Sequence, residues 1–421
     1  MKRLPSAAPS GVGVRSHRLS EYRGCLMVFE RIQSAASDLQ PRLVAWRRDF
    51  HRHPELGFEE HRTQQVIMDK LADAGVGEVV AIPPTGVLAI IHGGQAGPQG
   101  LLRFDMDALP IQEETGAEYA SVIPGRMHAC GHDGHLAIGL GVAHVLQAIR
   151  DELHGSVRIL FQPAEEGLGG AQACIEAGVL ESPRPDFALG MHLWNTRPLG
   201  WWGITPGAVM AGSDRIVIQL EGKGGHGAAP HLARDVVLAG AYVLTALQSL
   251  VSRHVDPLET VVLSMTTFHA GEADNVIPQH AVMEGTLRTM KRSIRESMVS
   301  QMEPLVQQQA RSFGCKASVT VTPLTLPLVN DPEITASVQR VHGRLFPEAE
   351  QCTSERVMAS EDMAAYLEHV PGCYIFAGSA NSARGLDYSH HHPRFDFDEA
   401  VLSPAVTLMA SAAAVLLEEN P

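Results

Sequence analysis

At 421 residues the chain exceeds what a single hydrophobic core sustains, so two domains are expected. The composition is that of an ordinary globular protein, 45% hydrophobic and 19% charged, and a net charge of −14 argues against nucleic acid as a partner, because phosphate binding needs a basic surface. The six cysteines, at 25, 130, 174, 315, 352 and 373, include no C-x-x-C pair, which suits reduced cytoplasmic thiols better than a disulfide framework; no run approaches the roughly 18 apolar residues of a membrane span.

Residues 1–26 carry five Lys/Arg but no continuous apolar stretch, so they read as a disordered leader and not as a signal peptide, or as sequence ahead of a true start at Met27. Helical periodicity begins near Leu39 and passes through Val44, Trp46 and Phe50 to Pro54. A second helix spans about 63–74 and stops at Gly75. Short apolar runs at 87–91, 101–104, 157–161 and 188–191 then alternate with helical patterns near 135–150 and 170–177. Strands spaced by helices imply a largely parallel, covered sheet.

Around Gly212 the texture changes. Residues 215–220 alternate as a half-buried strand, 235–251 are helical, and 260–268 and 281–288 are again strand-like. A helix with Met298, Met302 and Val306 stacked at i+4 precedes a last strand at 318–322. This β-α-β-β-α-β series is the signature of a split, ferredoxin-like unit. Residues 323–327 look like a return linker, and from Pro332 helix and strand alternate again, ending in an Ala-rich helix at 404–417. The reading is a discontinuous α/β domain, 27–211 and 327–421, with a smaller α+β domain, 212–326, inserted.

Polar residues collect where the apolar runs end. The strand ending at Phe104 leads into Asp105-Met106-Asp107, the one ending at Phe161 into Gln162-Pro163-Ala164-Glu165-Glu166, and the one ending at Met191 into His192. In open α/β sheets that is the edge where ligands bind. The loop 127–135 adds Cys130, His132, Asp133 and His135 just ahead of a helix. Taken singly, each has an ordinary explanation: a buried thiol, a solvated acidic pair, a hydrogen-bonded core histidine. Taken together, thiolate, imidazole and carboxylate are the donor set of borderline divalent metals. The C-x-H spacing lets one loop offer both groups to one ion. In the acidic pair, one carboxylate can bind metal while its neighbour stays free as a base. Ser389-His390-His391-His392-Pro393 follows another apolar strand, at 373–377, and adds a last ligand; spacing alone does not choose among its three histidines.

The segments HRHPELGFEE (51–60), DMDALPIQEETG (105–116), MHACGHDGH (127–135), FQPAEEG (161–167), GMH (190–192), GKGGHGAAP (222–230), NVIP (275–278), EGTLR (284–288), SEDM (360–363) and HHPRFDFDE (391–399) follow one another in an order that resembles the hippurate hydrolase and aminoacylase-like branch of the dinuclear metallopeptidases. That branch also holds indole-acetyl-amino-acid hydrolases and N-acetyl-diaminopimelate deacetylases. The resemblance runs from about residue 39 to the end and implies two divalent metal ions per subunit, manganese, zinc, nickel or cobalt. It implies Cys130, His132, Glu166, His192 and His391 as ligands, the last because the family places it two residues before the proline, and Cys130 where sister branches carry a bridging carboxylate. Glu165 becomes the general base, and Asp105 and Asp107 second partners that orient histidines. The inserted domain becomes a dimerisation or lid domain in a homodimer or homotetramer. Its His226 reaches the active site of a partner subunit to hold the oxyanion, and Asn275 and Arg288 hold the substrate carboxylate or the tetrahedral intermediate. GKGGHG is not a phosphate loop, since its spacing fits neither the Walker nor the Rossmann pattern.

The implied reaction is hydrolysis of an N-acyl amino acid, hippurate-like or N-acetylated, to a carboxylic acid and a free amino acid. A dipeptidase, carboxypeptidase or diaminopimelate deacetylase on the same site is the nearest alternative. More remote are a non-catalytic metal- or ligand-binding protein and a cysteine hydrolase built on Cys130.

Overall fold

In a strand whose two faces are both covered, apolar residues run almost without interruption. Four strands of this kind, His154–Gln162, Gln95–Asp105, Phe187–Pro198 and Gly372–Ala380, lie side by side and parallel at the centre of an eight-stranded sheet. The computed structural model describes residues 13–419, with side chains from residue 28; the expected leader thus lies outside the described residues over 1–12, while from Gly13 the backbone is helical through Arg52.

The expectation of a largely parallel sheet holds for that centre only. Gly86–His92 runs antiparallel to His154–Gln162 on its outer side, and Glu78–Ile82 runs antiparallel to Gly86–His92. The reason is the short link Gly93-Gly94, which carries the chain from one side of His154–Gln162 to the other. A Cβ on Gly93 would stand 2.3 Å from the Leu153 carbonyl oxygen, and one on Gly94 2.4 Å from that of Asp151. Only glycine passes so close, and without a helical crossover the strand before the link points the opposite way. At the far edge Trp201–Gly203 pairs antiparallel with Gly372–Ala380 and parallel with Glu350–Cys352.

Alternation along the central strands separates two cores. Leu102, Phe104, Ile159 and Phe161 face the larger one, under the helices Gly13–Arg52, His132–Ala148, Pro332–Leu345 and Leu402–Glu419. Leu101, Leu160, Ala188 and Tyr374 face the smaller one, under Gly170–Glu176 and Met363–Leu367. His132–Ala148 is buried along most of its length, which explains why it is apolar all round. Against the expectation from the sequence, two helical stretches among the described residues, Val236–His254 and Glu399–Glu419, are long and apolar enough to cross a membrane by length and composition; 78% of the second stretch's apolar window is buried inside the molecule and 33% of the first.

The inserted β-α-β-β-α-β series folds as a separate four-stranded antiparallel sheet in the order Val261–Ala270, His280–Thr289, Gly212–Glu221, Lys316–Thr325. Val236–His254 and Arg292–Ser312 cover one side of it. Ile216, Ile218, Leu220, Val243, Leu247, Met283 and the Met298/Met302/Val306 stripe form a core of their own. Asp235 caps the first of these helices by accepting from the Val237 and Leu238 amides.

Candidate metal centre

The carboxyl ends of the central parallel strands converge on one rim. Gln95–Asp105 ends on Asp105, and His154–Gln162 leads into Pro163-Ala164-Glu165-Glu166. His192 does not sit past the end of its strand, as the sequence suggested. Phe187–Pro198 continues through it in parallel register with Gly372–Ala380, so His192 is fixed mid-strand opposite Phe376. Cys130 and His132 straddle Gly131, whose φ of +93° turns the loop into the helix His132–Ala148.

Hydrogen bonds set which nitrogen each histidine offers. His132 gives its Nδ1 proton to the Asp107 carbonyl at 2.9 Å, leaving Nε2 buried with no hydrogen-bond partner. His192 gives its Nδ1 proton to the Leu193 carbonyl at 2.6 Å and turns Nε2 toward the Cys130 sulfur, 3.5 Å away. His135 is different. Its Nε2 accepts the Leu193 amide at 2.9 Å and its Nδ1 meets Asp105 Oδ1 at 2.5 Å, so neither nitrogen is left for a metal.

The three C-terminal histidines separate in the same way. His390 accepts the Asn195 amide on Nε2 and packs on Trp194 and Phe395. His392 stacks on Tyr388 and accepts the Arg394 amide. His391 alone faces the acidic pair, its Nε2 3.1 Å from Glu166 Oε1, with a backbone φ of +65°. Ala164, next to Glu165, has φ +56°. Left-handed conformations at residues with a Cβ cost roughly 1–3 kcal/mol each and persist only where the surroundings enforce them.

Donor atoms of Cys130, His132 and His192 lie within 4.8 Å of one another, and so do those of Cys130, Glu166 and His391. The two triads share the thiol, an arrangement that suits two adjacent ions. Electrostatics fit a cation as well. Burial, then Glu166, Glu165 and Asp105, push the Cys130 thiol well above its usual range. Burial alone would lower His132, but Asp105, Asp107 and Glu166 outweigh it and hold the imidazole up at about 10. The cluster thus draws positive charge to the point where His132 Nε2 sits, and metal coordination inverts both tendencies. Burial, together with His135 and His390, keeps His192 neutral, the form that ligates. Burial and then Glu361, Asp362 and Glu166 raise half-buried Glu165 well above the carboxylate range.

Behind this rim lie side chains that the motif reading left without a role. Arg103 is fully buried and meets Asp105 at 2.6 Å, Asp362 at 2.5 Å, Glu361 at 2.9 Å and Gln162 at 2.8 Å. A charged residue inside the apolar run LLRF was the visible signal, because an arginine there has to be paired. Glu361 also accepts the Tyr374 hydroxyl at 2.6 Å. Arg47, equally buried, joins Asp133 at 2.7 Å to Asp396 at 2.7 Å, and His51 meets Asp133 at 2.8 Å. The first helix, the helix after Cys130 and the loop after His391 are tied together through this one guanidinium. Asp107 Oδ2 accepts the Glu166 amide at 3.0 Å.

A cavity of about 590 Å³ opens above Cys130, Glu165, Glu166, His192 and His391. Arg288, Ser213, Leu324 and Thr325 reach it from the inserted unit. His226 and Asn275 do not line it. His226 lies in a two-strand ladder opposite Val276, and Asn275 precedes that ladder in a turn, its carbonyl accepting the Gly227 amide at 2.7 Å. Both are exposed. His226 Nδ1 accepts the Ala228 amide at 3.0 Å, so its Nε2 carries the proton and is a donor.

The profile of Peptidase family M20/M25/M40 matches residues 101–414. An N-acyl-L-amino acid amidohydrolase of Geobacillus stearothermophilus is 44% identical over 289 residues, 68% of this chain and 78% of its own length. Thermostable carboxypeptidase 2 of Saccharolobus solfataricus is 36% identical over 378 residues, 89% of this chain and 95% of its own. A crystal structure described as a dinuclear metal-binding peptidase from Bacillus subtilis superposes with a TM-score of 0.81 at 35% identity, covering 91% of this chain and 99% of that one.

Proposed function

We propose, of a chain that belongs to peptidase family M20/M25/M40, that it hydrolyses the amide bond of N-acyl amino acids with two divalent metal ions held by Cys130, His132, Glu166, His192 and His391. It is a metal-dependent amidohydrolase. The observation that carries the site assignment is the pair of donor triads sharing Cys130; Glu165 is in neither of these, though its carboxylate also lies within 4.8 Å of donor atoms of His132 and Glu166, close enough to serve a water held there.

Such ions supply Lewis acidity toward the amide carbonyl and a water acidified toward neutrality. Glu165 takes the proton of the attacking water and returns it to the departing amine. Its raised proton affinity suits the second half of that cycle, and neighbouring cations suit the first by favouring the carboxylate. Asp107 fixes the His132 tautomer side and the Glu166 amide, while Asp105 fixes His135. Arg288 pairs with the substrate carboxylate from across the cavity. His226 and Asn275 act in the site of a second copy, where the His226 Nε2 proton meets the oxyanion, so the active species is a homodimer or a larger assembly containing it. Their exposure, and the fact that neither lines the cavity of its own chain, support that arrangement. The five described cysteines are unpaired, which supports a reducing, cytoplasmic setting.

The carboxypeptidase relative favours a second reading, in which the acyl group is itself a peptide. One experiment separates the two. Metal is stripped with a chelator, the apoenzyme is reloaded with manganese, zinc, nickel or cobalt, and each form is offered hippurate, N-acetyl-amino acids and dipeptides. Turnover of the N-acyl compounds with at least one metal is expected. Full activity in the stripped enzyme would overturn the metal assignment, and activity on dipeptides alone the substrate class.

A further inference from the structure

Glu60 stands at the head of the helix His61–Asp73, the position from which a side chain commonly caps its own helix, yet it makes no capping bond. Its carboxylate is instead fully buried and reaches across to the turn that carries Glu165 and Glu166. Oε1 accepts the Ala164 amide at 2.9 Å, and Oε2 accepts the Thr85 hydroxyl at 2.5 Å. The amide it takes belongs to the residue with φ +56°.

The surroundings press on the same residue. A Cβ on Gly57 would come within 3.0 Å of the Ala164 Cα and Cβ, so the segment before Glu60 lies directly on it. The Ala164 carbonyl accepts the Gly170 amide at 3.1 Å, and Asp107 accepts the Glu166 amide at 3.0 Å. The turn is therefore held by carboxylates at both ends, Asp107 on the metal side and Glu60 on the side away from it. Glu60 belongs to neither donor triad.

We infer that Glu60 is a positioning residue for the reaction: by occupying the Ala164 amide it holds that residue left-handed and so sets where Glu165 and Glu166 point. The inference rests on the reading of Glu165 as base and Glu166 as ligand. Without an acceptor in that buried place, Ala164 has no reason to keep a conformation unfavourable to its Cβ. Relaxation of one residue swings the two that follow. What the site uses is the acceptor oxygen, and glutamine retains one for the Ala164 amide while its NH₂ serves the Thr85 hydroxyl.

The test compares Glu60→Leu, Glu60→Gln and the double variant Glu60→Leu/Ala164→Gly in metal-loaded full-length protein. Glu60→Leu is expected to lose about 100-fold in kcat, the scale of a 1 Å misplacement, with KM little changed. The visible spectrum of the cobalt-loaded form should shift as the Glu166 contact changes. Glu60→Gln should recover most of kcat and the wild-type spectrum. The double variant should recover part of kcat, because glycine holds a positive φ without an enforcing partner. Wild-type kcat and spectrum in folded Glu60→Leu overturn the inference, as does a Glu60→Gln variant as impaired as Glu60→Leu. If Glu60→Leu does not fold, Glu60→Met, which keeps the length of the side chain without an oxygen acceptor for the Ala164 amide, takes its place, and an unchanged kcat and cobalt spectrum there overturn the inference. Glu165→Gln is run alongside: if it stays active, the reading of the base fails whatever Glu60 does, whereas an inactive Glu165→Gln beside a fully active Glu60→Leu refutes the positioning role alone.

Discussion

On the floor of the site the segments proposed to bear the ligands are braced by buried polar groups, whereas in the inserted unit two of the three residues expected to touch substrate, His226 and Asn275, are held by little besides their own backbone. His132 is fixed by Asp107, the Glu165-Glu166 turn by Asp107 and Glu60, and the loops bearing His132 and His391 by Arg47. His226 lies in a two-residue ladder and Asn275 in the turn beside it, both exposed. Bracing of the kind found on the floor is what electrostatic preorganisation requires. Of the three residues, Arg288 alone lines the cavity of its own chain. Under the proposed roles, reaction chemistry and substrate capture fall to differently built parts of one chain.

The largest effect that sharpens this contrast is expected from Glu165→Gln, which should cost about 10²–10⁴-fold in kcat while metal content by elemental analysis stays at the wild-type level. A variant that loses metal in proportion to rate would make Glu165 a ligand and blur the division on the floor. Next comes His226→Ala, expected to lower kcat by about 10²–10³-fold, the worth of one oxyanion donor, again without metal loss. Mixing inactive His226→Ala and Glu165→Gln subunits should restore activity, because one composite site then has both residues. No recovery in reassembled mixtures would put His226 to work within its own subunit.

The rigidity of the floor is tested by Arg47→Met. Breaking one side of a buried charge cluster leaves Asp133 and Asp396 uncompensated and should cost roughly 3–5 kcal/mol in denaturant unfolding. A loss under 1 kcal/mol would mean that the guanidinium does not bind these segments together. The smallest effect concerns pH. Burial, the leading cause, pushes Glu60 up to about 7, above the roughly 4.3 of an exposed glutamate. The native state therefore holds this proton longer than the unfolded one. Its stabilising contribution is full below about 4 and disappears as pH rises through about 7. The stability of Glu60→Gln should fall less than that of wild type across this window, and parallel curves would show that Glu60 titrates normally.

Much of the site was legible because its elements are local. C-x-H in a loop before a helix, an acidic pair after a strand, and a histidine cluster near the C-terminus each announce themselves in a few residues, and the i+4 stripe Met298/Met302/Val306 marks the buried face of its helix as it stands in the core. What stayed hidden depends on partners far apart in sequence. Glu60 lies within a segment visible as a motif, but nothing near it reveals that its partner is an amide 104 residues away. Arg103 signalled a buried charge without naming Glu361 and Asp362, 258 and 259 positions on. His390, His391 and His392 were indistinguishable by spacing and are separated by which amide, ring or carboxylate each meets.

The reversed direction of Gly86–His92 belongs to the same class, since an apolar run carries no mark of its direction relative to a neighbour. The sequence by itself determined the donor types, the alternation of strands and helices, and the β-α-β-β-α-β order of the inserted unit, all of which follow from residue chemistry and short-range periodicity. Tertiary structure decided which nitrogen each histidine offers, which histidines and which carboxylate gather about the Cys130 thiol, and which residues hold Ala164 in left-handed backbone. Those outcomes require groups from distant segments to share one buried space, where an unpaired polar atom is costly enough to select a single arrangement.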